Sequence, residues 1–207
     1  MKCRLVLLLL LTLAVSALPL QAAPIVFTAT LSGDNEAPPN VSPATGSATV
    51  TIDDVLHIMH VQVDFLGLTS NNTAAHIHVI NGPGDSNTSD TIGPVATTTP
   101  TFPGFPSGVT AGTYDLFFGT LLGLTYRAGW VTDSGGTLAL AEAAFFAGLT
   151  EGRAYLNIHT STFPGGEIRG FLQSPASSPV PEPGSLVLLG TGLAGLVTRR
   201  YRRRSIS

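Results

Sequence analysis

Short runs of alternating apolar and polar residues are the feature that most restricts the fold of this chain. In the run "VQVDF" at 61–65, the apolar residues lie on one side of an extended strand, and Gln62 and Asp64 lie on the other. Six further stretches alternate in the same way or are rich in β-branched residues; they lie at 25–33, 46–54, 74–80, 113–121, 153–160 and 166–173. Strands with one apolar face are typical of antiparallel sheets, so the pattern predicts a mainly β fold.

One stretch, residues 137–152, has helical instead of alternating spacing. Its alanines favour a helix, Leu138, Phe145 and Leu149 recur at near-helical intervals, and Gly152 can end the helix. Residues 81–112 are mostly Gly, Pro, Ser, Thr and Asp, which predicts a long surface loop. Many short strands with one short helix predict a β-sandwich of Greek-key type.

The first 23 residues have the composition of a secretory signal peptide. Lys2 and Arg4 supply a positive start, Leu5 to Leu13 form an apolar core, and residues 20–23 offer a small-residue cleavage site for signal peptidase. The only cysteine, Cys3, lies in this segment, so we expect a mature chain without internal disulfides. Core packing or a metal must then stabilise the exported domain.

A second targeting signal lies at residues 177–207. After a short linker come Pro181-Glu182-Pro183, an uncharged apolar stretch at 184–198, and a basic tail at 199–204. We expect the apolar stretch to be a transmembrane helix, with the arginines in the cytoplasm and the domain outside. In this order the three features resemble the PEP-CTERM sorting signal of bacterial exported proteins. The resemblance implies that an exosortase-type protease cleaves near the motif and passes a transiently anchored protein to the cell surface or extracellular matrix.

The charge of the region between the two signals restricts its partners. Residues 24–179 contain twelve acidic residues against three arginines, Arg127, Arg153 and Arg169, which gives a net charge of −9. Phosphate backbones require the opposite charge, so nucleic acid is excluded as a partner, whereas cations and neutral sugars are compatible. The region has no cysteine, no Gly-x-Ser-x-Gly motif and no evident pair of catalytic carboxylates, which favours a non-enzymatic protein.

Three histidines are the candidates for a functional site. His76 and His78 lie two residues apart on a predicted strand and therefore share a face, and His159 on a later strand can add a third imidazole. Three histidines with an open coordination position form zinc or copper sites, so a zinc or copper ion is the candidate cofactor. Alternatively, the three rings hydrogen-bond to backbone groups at a corner of the sheet. Both interpretations stay open from the sequence alone.

Several separated blocks of the chain resemble one known family. They are Leu31-Ser32-Gly33, Asn35-Glu36, Pro38-Pro39, Gly67-Leu68, Ala75 to His78, Asn157 to Thr160 and Pro164 to Gly170. In this order, over about residues 25–173, they resemble the CHRD domain, which is repeated in chordin and occurs singly in many bacterial exported proteins. The resemblance implies an immunoglobulin-like β-sandwich at residues 24–176 with an inserted loop at about 81–112, and it implies no settled activity.

The family-motif blocks contain five further polar residues, Asn35, Glu36, Asn157, Glu167 and Arg169. Glu167 and Arg169 lie two apart on a predicted strand and point the same way, so we expect them to pair with each other or with a neighbouring strand. Glu36 can meet Arg169. We expect all five residues to be structural.

These signals together predict an exported bacterial CHRD-domain protein. We expect a non-enzymatic surface or extracellular-matrix module for adhesion or biofilm formation, with exopolysaccharide or other surface components as candidate partners. The alternative is a zinc- or copper-binding protein or metalloenzyme that uses His76, His78 and His159.

Overall fold

The computed structural model describes residues 23–86 and 91–174. It contains seven strands, each overlapping one of the seven predicted stretches: β1 Ile25–Ser32, β2 Thr45–Asp53, β3 Ile58–Leu66, β4 Asn72–Val79, β5 Gly112–Gly119, β6 Ala154–Thr160 and β7 Ile168–Phe171. The predicted mainly β class is confirmed.

The strands form one sheet, in the order β4-β6-β7-β1-β2-β3-β5, and every neighbouring pair is antiparallel. The sheet curls into a half-barrel. The predicted sandwich of two sheets is therefore wrong. The two late strands β6 and β7 insert between β4 and β1, where they connect both halves of the chain into a single sheet. Alternation defines which side of a strand is apolar, but it does not define which strands are neighbours.

The main core lies on one side of this sheet and is covered by a helix, α2 (Leu138–Thr150), with Phe145 and Leu149 on its buried side. A shorter helix, α1 (Ala128–Asp133), precedes it, so the prediction of a single helix is wrong. α1 contains a glycine and has no side-chain cap, so the sequence has no clear signal for a helix at this position. Trp130 holds it in place, since its buried indole Nε1 donates to the carbonyl of Ala141 at 3.1 Å.

The predicted surface loop is described at 81–86 and 91–112, and the second portion is only partly exposed because Ala96, Phe102 and Phe105 are buried in the core. This portion runs along the outer edge of β4. The backbone N–H of Ala96 donates to the carbonyl of Ile77, and that of Phe102 donates to the carbonyl of Ala75. The edge of the sheet at β4 is therefore covered, which removes the unpaired backbone groups that a bare edge would expose.

The N-terminal signal peptide, apart from its last residue, and the whole segment 177–207 lie outside the described residues. Among the residues that the structure does describe, no helix combines the length and the apolar character needed to cross a membrane. The proposed span at 184–198 thus remains a prediction from the sequence.

Candidate metal centre

The three predicted histidines meet on the side of the sheet opposite the main core. β4 and β6 are neighbours, with His76 opposite Asn157 and His78 opposite Tyr155. His159 lies two residues beyond Asn157 and therefore shares its face. One ring nitrogen from each histidine lies within 4.8 Å of the other two. Regular strand geometry thus brings residues 76, 78 and 159 to one point.

Each of the three rings is held by a backbone carbonyl. The distances are 2.9 Å from His76 Nδ1 to the oxygen of Pro100, 2.8 Å from His78 Nδ1 to that of Gly93, and 3.0 Å from His159 Nδ1 to that of Pro164. A carbonyl oxygen only accepts hydrogen bonds, so each Nδ1 must carry the proton and donate. The proton position of a neutral imidazole is thereby fixed, and each Nε2 is left with a free lone pair.

The three Nε2 atoms are the ring nitrogens that are left without a backbone partner. His76 Nε2 lies 3.0 Å from His159 Nε2, and the buried Nε2 of His78 has no hydrogen-bond partner. Burial lowers the pKa of His76 to about 4 and that of His78 to about 3, and it also lowers the pKa of His159. All three rings are therefore neutral at neutral pH. A buried acceptor without a partner costs about 1–3 kcal/mol, so a bound cation or a water molecule that donates to these lone pairs would stabilise the cluster.

The donor set and its spacing fit a transition metal. At about 2 Å from the metal, the nitrogen ligands of a tetrahedral site lie about 3.3 Å from one another. The observed nitrogen separations, from 3.0 Å up to 4.8 Å, require side-chain shifts of about 1.5 Å at most. Neutral imidazoles suit zinc and copper, whereas calcium and magnesium prefer oxygen ligands. His159 is the least buried of the three residues, so a further ligand of a bound ion would reach the site from the side of His159.

A stack of side chains supports His78 from behind. The Tyr155 ring lies parallel to the His78 ring, with centroids 4.7 Å apart, and the Arg169 guanidinium covers the Tyr155 ring at 4.7 Å. Arg169 itself donates to the backbone carbonyls of Asn35 and Thr91. The orientation of the imidazole is therefore fixed by β6 and β7 as well as by its own strand.

Two of the family-motif residues form a partly satisfied ion pair next to the histidines. Glu36 Oε2 lies 3.8 Å from Arg169 Nε, as the sequence suggested, and both side chains are buried. Burial raises the pKa of Glu36 to about 7, although Arg169 acts in the opposite direction. Glu36 Oε1 and Asn157 Oδ1 lack hydrogen-bond partners. Both atoms lie close to Gly166, where a built Cβ would be 2.7 Å from each of them.

Two more motif residues, Glu167 and Asn35, form hydrogen bonds with neighbouring loops and strands. Glu167 does not depend on Arg169: it accepts hydrogen bonds from Ser42, Thr69 and Thr160. Burial raises the pKa of Glu167, but these hydrogen bonds outweigh that effect and the net pKa is lowered. The side chain of Asn35 donates to the carbonyls of Thr30 and Arg169 at 3.1 Å. Glu167 therefore connects loops to β6, which carries His159, and Asn35 connects its loop to β1 and β7.

Sequence analysis missed the atoms that orient the rings. The carbonyls of Gly93, Pro100 and Pro164 belong to loops, and any residue supplies a backbone carbonyl, so no residue type identifies them. The two remaining histidines lie elsewhere. His57 contacts Glu142 on α2, and His60 contacts Asp115 on β5.

Comparison with known families agrees with both resemblances. The family model described as the CHRD domain matches residues 27–172, and the PEP-CTERM protein-sorting motif matches residues 179–204. No curated protein and no solved structure matches the chain significantly. PEP-CTERM signals mark exported, membrane-associated surface proteins and imply processing by an exosortase. The chain belongs to the CHRD domain family and carries the sorting motif of exported proteins.

Proposed function

We propose that this exported protein binds one zinc or copper ion through His76, His78 and His159. One observation carries the proposal: a ring nitrogen of each histidine lies within 4.8 Å of the other two, while every Nδ1 is hydrogen-bonded to a backbone carbonyl and every Nε2 keeps a free lone pair. The backbone hydrogen bonds of the structural interpretation are therefore compatible with metal binding, because a metal-ligating histidine usually donates its other ring N–H to a carbonyl or carboxylate, which holds the ring in place.

The number of protein ligands indicates whether a bound ion is structural or can also bind water or a substrate. Structural zinc sites have four protein ligands, whereas three protein ligands leave a position for water or a substrate. A small molecule or water would reach a bound ion from the side of half-buried His159, the least buried of the three residues. Storage or scavenging of the ion at the cell surface requires binding alone. The same three histidines are sufficient for that role, and no further residue is needed.

Metal analysis of the purified exported protein tests the proposal. After incubation with zinc or copper sulfate and gel filtration, elemental analysis is expected to give about one ion per chain. In the copper form, electron paramagnetic resonance should show coupling to imidazole nitrogens. The double variant His76→Ala/His78→Ala should lose both signals, and His60→Gln should keep them, because His60 lies outside the cluster. A wild-type protein that stays metal-free, or a double variant that still binds one ion, refutes the proposal.

A role as a surface or matrix module in adhesion remains a second proposal, and it is favoured by the sorting motif. It is compatible with a bound ion, since an ion can serve structure as well as chemistry. Deletion of the gene should reduce cell aggregation or biofilm mass under matrix-producing conditions. Unchanged aggregation and biofilm in the deletion strain would argue against this role.

A further inference from the structure

A second ordered cluster of side chains lies far along the sheet, on its solvent side. Across β2, β3 and β5, the register aligns Thr51, His60 and Phe117 in one row and Thr49, Gln62 and Asp115 in the next. We call these six residues the outer patch. Their strand neighbours Val61 and Tyr114 point into the core, so the patch faces away from it. At about 4.8 Å between neighbouring strands, the patch spans about 10 Å across the three strands.

An aromatic ring is fixed in this surface and open to solvent. Phe117 is 64% exposed, and its ring lies parallel to the His60 ring, with centroids 3.9 Å apart and an angle of 6° between the planes. One side of the phenyl ring is therefore covered and the other is presented outward. An exposed phenylalanine gains nothing for the core, but a rigid, open aromatic plane is a ready surface for an apolar ligand face.

A carboxylate is oriented next to this ring. His60 Nε2 lies 2.6 Å from Asp115 Oδ1 and donates to it, and Gln62 Nε2 donates to Asp115 Oδ2 at 3.0 Å. These two hydrogen bonds lower the pKa of Asp115, which keeps the group charged. Each carboxylate oxygen has a second lone pair, and the side chain is 62% exposed. Asp115 thus presents fixed acceptors to solvent, two residues from Phe117.

We propose that the outer patch binds a neutral polysaccharide. A sugar ring has an apolar C–H face, which stacks on the open plane of Phe117, and peripheral hydroxyls, which donate to Asp115 and exchange hydrogen bonds with Gln62 and Thr49. The patch contains no lysine or arginine, and residues 24–179 carry a net charge of −9, which disfavours anionic glycans. Phe117 is the single large apolar side chain of the patch, too little for a protein interface.

Affinity electrophoresis of the exported protein tests the proposal. Native gels contain increasing concentrations of hydroxyethyl cellulose, galactomannan or dextran, with alginate as the anionic comparison, and the retardation gives a Kd. We expect at least one neutral polysaccharide, but not alginate, to retard the wild-type protein. Phe117→Ala should raise the Kd about tenfold through loss of stacking, and Asp115→Asn about tenfold through loss of a charged acceptor.

A matched control separates the patch from general surface apolarity. Leu124→Ala removes a side chain that is 76% exposed and lies outside the patch, so its Kd should equal that of the wild type. Circular dichroism of each variant verifies that the fold is retained, which is expected because all three side chains are largely exposed. Absence of retardation in all three neutral polysaccharides, or equal retardation of Phe117→Ala and wild type, overturns the proposal.

Discussion

Metal addition should raise the thermal stability of the protein by a predictable amount. An ion that binds the folded state alone stabilises it by about 2.7 kcal/mol when its free concentration is 100 times the Kd. For a domain of this size, each kcal/mol shifts Tm by roughly 2–4 °C. The three histidines lie on two strands, and His76 and His159 are 83 residues apart in sequence. The unfolded chain therefore has no preformed site. We therefore expect a Tm increase of about 5–11 °C.

Replacement of one candidate ligand should remove most of this metal-induced increase in Tm. His159→Gln removes the least buried imidazole and so disturbs packing less than a change at His76 or His78. If the loss of this ligand raises the Kd about 100-fold, the same free metal concentration only equals the new Kd. The stabilisation then falls to about 0.4 kcal/mol, which is a Tm shift of about 1–2 °C.

Differential scanning calorimetry with a zinc buffer measures both shifts on the same scale. The protein is first treated with a chelator and dialysed, and His60→Gln serves as the control because its site of substitution is on the far part of the sheet. The control should shift like the wild type. Equal shifts in wild type and His159→Gln, or no shift in the wild type at saturating zinc, would refute the three-histidine site.

Three further predictions concern the scaffold around the site. Gly166→Ala should lower the free energy of unfolding by about 1–3 kcal/mol in urea titrations, because φ is +132° and a Cβ would crowd Glu36 and Asn157. Burial raises the folded-state pKa of Glu36 from 4.5 to about 7, so the folded state binds a proton more tightly than the unfolded state does. As pH rises from 4.5 through 7, the free energy of unfolding of the wild type should fall by up to about 3 kcal/mol relative to that of Glu36→Gln. Equal pH profiles of the two proteins would contradict this. Thr137→Ala should cost about 1 kcal/mol in thermal melts, because Thr137 caps α2 through the N–H of Leu140.

The sequence was sufficient to bring the three histidines of the candidate site together because they lie on regular strands. Two-residue periodicity places His76 and His78 on one face and aligns His159 with Tyr155 and Asn157. Those relations hold for any strand, whatever its neighbours are. The expectation that Glu36 meets Arg169 was also confirmed, since a buried arginine requires an acidic or carbonyl partner.

The arrangement of the strands could not be obtained in the same way. Alternation is identical for a sandwich and for a single curled sheet, and the difference lies in the neighbours of β6 and β7.

The helix α1 was missed for a related reason. Its six residues form a helix through the contact between Trp130 and Ala141, and a tertiary contact leaves no periodic signal in so short a segment.

The segment 91–112 shows how an irregular region can complete a regular site. The composition of this segment predicted a surface loop. In the structure, its carbonyls at Gly93 and Pro100 accept hydrogen bonds from Nδ1 of His78 and His76, which fixes the ring nitrogen that carries the proton. Without such acceptors an imidazole can protonate at either nitrogen, and three neighbouring Nε2 atoms would not all have free lone pairs. The strands therefore supply the three imidazoles of the candidate site, and the loop fixes which ring nitrogen of His76 and of His78 carries a lone pair.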